Sequence, residues 1–388
     1  MLDLIKLTAQ VSALGQHLQQ ESLANQQRLQ KAMAAFEQAS RDPYRWQERW
    51  QTWQNHLAFT VASPQEAIEW VESIPMPVAQ HTVVATDGSQ IVPSHHEVAY
   101  CSLINVGRVV LPYGNGRWPL LDSLPLLFYR SGDLGQSRGI GVEDLLALRR
   151  TQAEMEELTQ LALAAQGAAP LLALVDGSLI HWGLDDLSPT QQKEWLAPLL
   201  HSYDQLRAAG IPVAGYVSAS RSSEVVNYLR VGLCPYLGCD CQHYCAEAAR
   251  YPCHPFAPLS DRVFWASRLS PGQRSSLWQS GAKLLELYGD HRIICCYLHV
   301  GSEIARVEVP QWVARDPDLL SQALGMILSQ VQKGLGYPVA LAEAHHLAVV
   351  RGGDRQRFFA LVEQELRRSG LTEIAVSRKE ARKRQGIA

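Results

Sequence analysis

The apolar residues of the N-terminal region follow a helical spacing. Residues 1–60 are rich in Gln, Ala and Glu and read as helical throughout. The apolar positions of the first turns, spaced three and four apart, are Leu4, Leu7, Val11, Leu14 and Leu18. This spacing is typical of a narrow coiled-coil seam. It predicts a helix that packs on its own domain or, alternatively, one that docks on a second copy or a partner.

From His81 onward, short extended runs take over. Thr82–Thr86 is a β-type run that ends on Asp87-Gly88-Ser89, which predicts a turn. Two further runs, Val98–Val106 and Arg108–Leu111, are separated only by Gly107 and predict a tight pair of strands. The sequence therefore predicts a sheet that begins as a meander.

The rest of the pattern alternates helices with strands. Leu171–Val175 is wholly apolar, as expected for a buried central strand, and ends on Asp176-Gly177-Ser178. Further strands are predicted at 212–217, 292–299, 303–309 and 338–341. Helices are predicted at 143–165, 189–209, 261–268, 275–288, 317–333, 343–350 and 354–368. The fold class is therefore α/β, and no fixed-period repeat indicates a solenoid.

Composition changes this picture little. The chain has 388 residues, 47% hydrophobic and 19% charged, which is ordinary for a globular protein. A net charge of −3 means that any nucleic-acid-binding surface has to be local. No apolar run approaches the roughly 18 to 20 residues of a membrane span. The N-terminus does not resemble a secretory signal, so we expect a cytoplasmic protein without membrane association.

Two Asp-Gly-Ser sequences carry the candidate chemistry. Each follows an apolar β run, which would hold Asp87 and Asp176 rigidly at the ends of buried strands. Carboxylates on neighbouring strands repel unless a cation neutralises them, and Mg²⁺ or Mn²⁺ prefers such oxygen ligands. The alternative is that each aspartate only caps a turn, because Asp-Gly is a common turn pair.

A third acidic residue is expected on the helix between these aspartates. Glu154 borders the apolar stripe of that helix, Glu156 points further out and Glu157 is intermediate. Glu154 is favoured, with Glu157 in reserve, while a solvated acidic face accounts for the others.

A histidine segment follows near the C-terminus. Gly336-Tyr337-Pro338 leads through a predicted short strand to Ala344-His345-His346 at a helix start. A histidine there can bind a metal or manage protons, and Tyr337 can orient a phosphate or a water molecule. Adjacent helical positions diverge by roughly 100°, so His345 and His346 cannot both face one site.

Five cysteines cluster in residues 232–256. They are Cys234, Cys239, Cys241, Cys245 and Cys253. Their thiolates could bind structural zinc or an iron–sulfur cluster. Their spacing lacks two clean C-x2-C pairs, however, so a loop of reduced thiols with an occasional disulfide is the alternative. Cys295 and Cys296 lie in an apolar run and are expected in the core.

In their order and spacing, several segments together resemble the NurA nuclease family, in a bacterial form. They are Ala85-Thr86-Asp87-Gly88-Ser89-Gln90, Leu174-Val175-Asp176-Gly177-Ser178-Leu179, Ala214-Gly215-Tyr216-Val217-Ser218, the stretch from Val300 to Glu308, and Gly336-Tyr337-Pro338 with Ala344-His345. The resemblance runs from Val83 to the C-terminal tail.

This resemblance implies a ribonuclease H-like, Piwi-like mixed sheet flanked by helices. It implies Mn²⁺- or Mg²⁺-dependent DNA cleavage, as a 5′→3′ exonuclease on single- and double-stranded DNA and an endonuclease on single strands. It also implies a homodimer that works with a HerA-type hexameric ATPase in end resection for double-strand-break repair. Asp87, Glu154, Asp176 and His345 would hold the metal, with Tyr337 beside them.

Basic residues provide candidate DNA contacts. They are Arg150, Arg221 and, in the tail, Arg378, Lys379, Arg382 and Lys383. Tail charges would add salt-dependent affinity without sequence preference, unless the tail is merely a solvated end.

The expected domains are a helical region at 1–60, a nuclease domain at 61–376 containing the Cys-rich insertion 232–256, and a basic tail at 377–388. Two other functions fit the same residues. One is a catalytically weak scaffold that regulates a HerA-type ATPase, and the other is a metal phosphoesterase acting on RNA.

Overall fold

The computed structural model describes residues 3–94, 97–130, 132, 139–236, 238–246 and 251–371. Its helices are α1 (Leu4–Arg41), α2 (Pro43–Trp53), α3 (Val142–Ala165), α4 (Pro189–Ala208), α5 (Glu224–Leu233), α6 (Cys241–Tyr244), α7 (Asp261–Ala266), α8 (Gln311–Ala314), α9 (Pro317–Lys333), α10 (Val339–Ala348) and α11 (Gly352–Arg368). Its strands are β1 (Ser63–Pro64), β2 (Val71–Ser73), β3 (His81–Ile91), β4 (Ser102–Tyr113), β5 (Leu120–Phe128), β6 (Leu171–Asp176), β7 (Val213–Val217), β8 (Gln273–Ser275), β9 (Trp278–Gln279), β10 (Ile293–His299) and β11 (Ile304–Pro310). Short 3₁₀ helices lie at Gln54–His56, Trp182–Leu184 and Lys283–His291.

The described chain forms two units, each built from two stretches that are separate in sequence. The first unit comprises the residues up to Ile74 and those from Tyr216 to Ala314. The second comprises Pro75–Gly215 and the residues from Arg315 onward. The proposed domain boundaries at residues 60 and 376 remain predictions.

The second unit is built on a mixed sheet. Its strands follow the order β5-β4-β3-β6-β7, with the first three residues of β7 in this unit. β3 pairs with β4, and β4 with β5, in antiparallel register, whereas β3 pairs with β6 in parallel. Helices α3 and α10 pack against β3 and β4. The predicted mixed α/β sheet flanked by helices is therefore confirmed.

Helix α3 covers the sheet through a stripe of buried side chains. Two acidic residues, Glu143 and Asp144, lie in its first turn, where their negative charges interact favourably with the positive end of the helix dipole. The buried residues include Leu146 and Ala153, which are seven positions apart and so lie on one helical face. Leu146 and Ala153 pack with Ile104 and Val106 of β4.

The first unit has its own core. Strands β1, β9, β10 and β11 are neighbours in that order, and β2 and β8 pair beside β10. Helix α1 contributes Ala32, Ala35, Phe36 and Ala39 to this core, whereas its N-terminal part is exposed. The indole of Trp46 donates to the carbonyl of Leu229 over 3.3 Å.

Part of the first-unit core is charged. Arg306 is 2% exposed and binds Glu308 at 2.7 Å and Glu224 at 3.4 Å. Asp261, which is fully buried, accepts hydrogen bonds from the backbone N–H groups of Val225 and Val226 and so holds the start of α5. Arg306 and Glu308, in the segment from Val300 to Glu308, thus form part of this buried network.

Several predicted elements are wrong. The first Asp-Gly-Ser does not form a turn, because β3 continues through it to Ile91. Gly107 does not separate two strands but lies within β4, which pairs with β3 and with the unpredicted β5. The helix predicted at 275–288 is replaced by β8, β9 and a 3₁₀ helix, and the strand predicted at 338–341 is the start of α10. None of the described helices is long and apolar enough to span a membrane.

Candidate active site

Strand pairing brings the two Asp-Gly-Ser sequences together. Thr86 of β3 is in register with Val175 of β6, so Asp87 and Asp176 follow at the same end of two adjacent parallel strands. β6 ends at Asp176, and Gly177 makes the turn with a positive φ of 104°. Both aspartates line a cavity of about 240 Å³ that Glu154 of α3 also lines.

Glycine at position 88 allows α3 to approach β3. A Cβ atom on Gly88 would lie 2.2 Å from Oε1 of Glu154 and 2.7 Å from Cγ of Arg150. The hydroxyl of Thr86 also donates to the main-chain carbonyl of Glu154 over 2.9 Å. These contacts place the Glu154 carboxylate beside the strand that carries Asp87.

The other glutamates of α3 have different surroundings. Glu157 accepts a hydrogen bond from Arg108 at 3.1 Å, and Arg108 also pairs with Asp122 at 2.8 Å. Glu156 is exposed. Of the candidates on this helix, Glu154 alone lines the cavity.

The surroundings of Glu154 and Asp176 disfavour the charged forms of both carboxylates. Burial raises the pKa of Glu154 to about 8, and the charges of Asp87 and Asp176 add to the rise while Arg150 opposes it. Burial likewise raises the pKa of Asp176, against a hydrogen bond from Tyr337 that lowers it. Without a bound cation, Glu154 therefore keeps its proton near neutral pH.

His345 and Tyr337 each contact one of the aspartates. Nδ1 of His345 lies 2.8 Å from Oδ2 of Asp87. The phenol of Tyr337 hydrogen-bonds the carboxylate of Asp176. His346 lies on another face of α10, beside Glu343 at 3.9 Å, as the divergence of adjacent helical positions predicts.

Helix α10 is fixed to the sheet by residues that the sequence analysis did not single out. The hydroxyl of Ser89 donates to the carbonyl of Ala348, and the amide of Asn105 donates to the same carbonyl over 2.8 Å. Gly107 leaves room for the helix backbone, since a Cβ there would lie 2.2 Å from the carbonyl oxygen of Ala344. Only the position of Ser89 within the repeated Asp-Gly-Ser hinted at this role.

His181 is a further cavity residue that the sequence analysis missed. It lies five residues after Asp176 and lines the same cavity. Burial lowers its pKa to about 4, so the imidazole is neutral near pH 7. The signal available in the sequence was its short distance from the second Asp-Gly-Ser.

The basic candidates fall in different places. Arg150 lines the cavity, with Nε 3.3 Å from Oε1 of Glu154. Arg221 is exposed and belongs to the first unit. The predicted tail contacts Arg378, Lys379, Arg382 and Lys383 lie outside the described residues.

The cysteines of the insertion are free thiols. Cys239, Cys241, Cys245 and Cys253 are buried and Cys234 is half-buried. Cys295 and Cys296 are buried in β10, as expected. Among the residues that the structure describes, no three His, Cys, Asp or Glu side chains stand together as a formed metal site.

Known proteins provide the context for this cavity. The NurA domain family model matches residues 81–350, which is more than half of the chain and includes the cavity and α10. None of the curated proteins matches the sequence.

Three solved structures show low similarity. The NurA nuclease from Sulfolobus solfataricus is 13% identical over 78% of this chain and 88% of that one, with a TM-score of 0.47. The catalytic domain of human Endonuclease V is 13% identical over 84% and 96%, with a TM-score of 0.34. LC9-RNase H1, a type 1 RNase H with the type 2 active-site motif, is 12% identical over 39% and 69%, with a TM-score of 0.20. Because these TM-scores are below 0.5, the assignment rests on the family model, and by that match the chain belongs to the NurA family of nucleases.

Proposed function

We propose that this chain is a divalent-metal-dependent deoxyribonuclease whose active centre consists of Asp87, Glu154, Asp176 and His345. The observation that carries the proposal is the shared cavity of the three carboxylates. Carboxylate oxygens and an imidazole are ligands that Mn²⁺ accepts, and Mg²⁺ prefers the carboxylates. The raised pKa of Glu154 supports this fit, because crowded carboxylates become a cation site once protons leave.

The residues around the proposed active centre have separate roles in phosphodiester hydrolysis. A bound divalent metal would supply a more acidic water molecule and neutralise charge that develops on the phosphate. His345 orients Asp87 through its 2.8 Å contact, and Tyr337 holds Asp176 by hydrogen bonding. Arg150, at the cavity wall, offers a guanidinium to a phosphate oxygen once it leaves Glu154.

The substrate and partners extend the proposal. We expect 5′→3′ exonuclease activity on single- and double-stranded DNA and endonuclease activity on single strands, because the landmark residues resemble that family. We also propose a homodimer that acts with a HerA-type ATPase in DNA end resection. Contacts made mainly to the backbone of DNA leave little sequence preference.

Asp87→Asn tests the proposal. This change keeps the size of the side chain but removes its charge, so Mn²⁺-dependent degradation of DNA should fall at least about 100-fold, by analogy with the loss of a key electrostatic group. The assay compares the variant with wild type on end-labelled single- and double-stranded oligonucleotides. Asp186→Asn, an exposed position that does not line the cavity, is the matched control.

The same assay separates the competing functions. If wild type cuts no DNA with Mn²⁺ or Mg²⁺, alone or with a HerA-type ATPase, the nuclease proposal is wrong and the scaffold hypothesis gains. Faster degradation of a matched RNA oligonucleotide would instead favour the RNA phosphoesterase.

A further inference from the structure

A second cavity borders the candidate active site within the second unit. This cavity, the side pocket, has a volume of about 90 Å³ and is lined by Leu148, Thr151, His181, Gly183, Leu184, Trp195 and Leu199. It lies between α3, α4 and the 3₁₀ helix Trp182–Leu184. Thr151 and His181 also line the cavity of the three carboxylates, so the two cavities adjoin at these side chains. The proposed catalytic residues make no use of the side pocket.

Most of the wall of the side pocket is apolar. Leu148 of α3 faces Trp195 and Leu199 of α4 across it, and Leu184 completes the wall. Trp195, Leu199 and Leu184 are buried, so close packing holds them in place. A wall of this kind favours an uncharged ligand with apolar faces, because a charge that leaves water without a partner is costly.

Polar groups lie at the end of the side pocket that adjoins the active site. Burial lowers the pKa of His181 to about 4, and a neutral imidazole carries one donor and one acceptor nitrogen. The hydroxyl of Thr151 donates to the carbonyl of Ala147 over 3.2 Å, and its oxygen also has acceptor lone pairs. Nucleobases combine apolar faces with an edge of hydrogen-bond donors and acceptors. The side pocket therefore matches the chemistry of a base.

The side pocket opens to solvent at Gly183. This glycine lines the pocket and is exposed, and a Cβ atom on it would meet no other atom within 4 Å. A closed apolar cavity of about 150 Å³ holds a benzene molecule. A volume of about 90 Å³ therefore admits one edge of a single ring, while the rest of the base stays at the mouth beside Gly183.

The charges around the two cavities separate a phosphate from a base. Arg150 lines the cavity of the carboxylates, and Cζ of Arg149 lies 5.3 Å from the ring centroid of Trp195. In contrast, Asp185 and Asp186 directly follow the 3₁₀ helix and are both exposed. A phosphate is favoured beside the arginines and repelled by the aspartates, whereas an uncharged base meets no such repulsion.

We propose that the side pocket binds one base of the DNA strand, next to the phosphodiester that occupies the catalytic centre. This inference rests on the proposed nuclease function and adds a base-binding subsite to it. Because the pocket takes only the edge of one ring, all four bases fit, and the subsite adds affinity without sequence preference. A base enters after it leaves its stack, which costs least in a single strand.

Single-stranded oligonucleotides with one abasic residue test the subsite. The abasic residue is moved one position at a time along the strand, and the rate of the first cleavage by wild type is measured with Mn²⁺. At one position relative to the cleaved bond, KM should rise at least about fivefold, the lower end of what one stacked base contributes, with kcat nearly unchanged. Equal KM values for the intact strand and for every abasic strand overturn the proposal.

Gly183→Leu assigns the effect to the side pocket. The added side chain has room and stands at the mouth of the pocket, so KM for the intact strand should rise and the sensitivity to the abasic residue should disappear. Gly167→Leu, also exposed and with no atom within 4 Å of a Cβ, is the matched control and should behave as wild type. Thermal unfolding checks that both variants fold. Undiminished abasic sensitivity in Gly183→Leu would show that the base binds elsewhere.

Binding without cleavage separates this proposal from the nuclease function. Fluorescence anisotropy of labelled intact and abasic strands with the Asp87→Asn variant measures affinity in the absence of turnover. Weaker binding of one abasic strand, lost when Gly183→Leu is added, supports the subsite even if wild type cuts no DNA. If wild type cuts DNA but no abasic position changes KM or affinity, the side pocket proposal is wrong and the nuclease function stands.

Discussion

The glutamates Glu154 and Glu157 of α3 have different surroundings. Glu154 lines the cavity with Asp87 and Asp176, whereas Glu157 forms an ion pair with Arg108 of β4. Both are glutamates of the same helix, so substitution by glutamine removes the same carboxyl group at each position. The pair therefore offers an internal comparison.

Glu154→Gln should abolish metal-dependent DNA cleavage, whereas Glu157→Gln should leave the rate within about twofold. Removing the partly exposed Glu157–Arg108 pair should cost at most about 1 kcal/mol of stability. Cleavage rates at saturating Mn²⁺ and thermal unfolding of both variants provide the measurement. Equal loss of activity in the two variants would contradict the assignment of Glu154.

The raised pKa of Glu154 predicts a pH dependence of stability. Its ordinary pKa is 4.5 and its pKa in the folded protein is about 8. Between these values the folded state keeps a proton that the unfolded chain releases, so its contribution to stability falls as pH rises. Glu154→Gln lacks this proton, and in EDTA the Tm of the variant minus that of wild type should grow from pH 5 to pH 8.

Added Mn²⁺ should weaken this dependence, because a bound cation takes the place of the proton. Calorimetric scans of wild type and Glu154→Gln at both pH values, with EDTA or Mn²⁺, give the comparison. A difference in Tm that stays constant from pH 5 to pH 8 would show that Glu154 ionises normally.

Most residues of the candidate site were singled out by patterns in the sequence. Asp87 and Asp176 stood out because each ends an apolar run, and the apolar stripe of α3 favoured Glu154 over its neighbours. Ser89 and Asn105 could not be identified, because their function is to hold a helix that begins about 250 residues later. His181 was not identified from the sequence for the same reason, because its burial depends on the packing of several elements.

At the scale of elements, the contact between β4 and α10 positions His345. Gly107 lies where the backbone of α10 passes close to β4, and Ser89 and Asn105 bind the end of that helix. Gln330, fully buried in α9, accepts from the N–H of Ala340 near the start of α10. Both ends of the helix are thus tied to its own unit.

Gly107→Ala should displace α10, because its Cβ would meet backbone atoms of Ala344 and Ala348 rather than a flexible side chain. We expect destabilisation by about 1 to 3 kcal/mol, as in overpacked cores, and a reduced cleavage rate as His345 moves from Asp87. Gly167→Ala, whose Cβ would meet nothing within 4 Å, is the control. Unfolding in urea and cleavage assays measure both effects, and wild-type values for both variants would refute this account of Gly107.

Elements with local signals were predicted well, and those set by distant partners were not. Helices α3, α4 and α9 follow their apolar stripes and end close to the predicted residues. Strands β8 and β9 are only three and two residues long and are defined by pairing with β2, β1 and β10. No local pattern encodes such pairing.

At the scale of the whole molecule, the exposed start of α1 needs an explanation. Its seam residues Leu4, Val11, Leu14 and Leu18 are each more than half exposed. The flanking positions Thr8, Gln10, Gly15 and His17 include no carboxylate or lysine. Two copies of this helix could therefore associate without repulsion between like charges, which fits the proposed homodimer.

Replacing Leu7 and Leu14 together by Ser should weaken self-association and leave the monomer's unfolding temperature nearly unchanged, because both side chains are at least one third exposed. Light scattering after size-exclusion chromatography over a range of concentrations measures the mass. Replacing Gln19 and Gln20, exposed on the same helix, by Ser is the control. An unchanged mass in the Leu7 and Leu14 variant would show that this face of α1 does not mediate self-association.

The interleaved order of the two units has a consequence for synthesis of the protein. The ribosome releases Asp87, Glu154 and Asp176 early, but His345 lies 258 positions after the aspartate it contacts. Helix α10 can dock on β3 and β4 only after the intervening stretch of the first unit has emerged. Contacts this distant in sequence slow folding. The nascent chain therefore cannot assemble the proposed catalytic centre until α10 has emerged, and premature termination anywhere before α10 yields a product without His345.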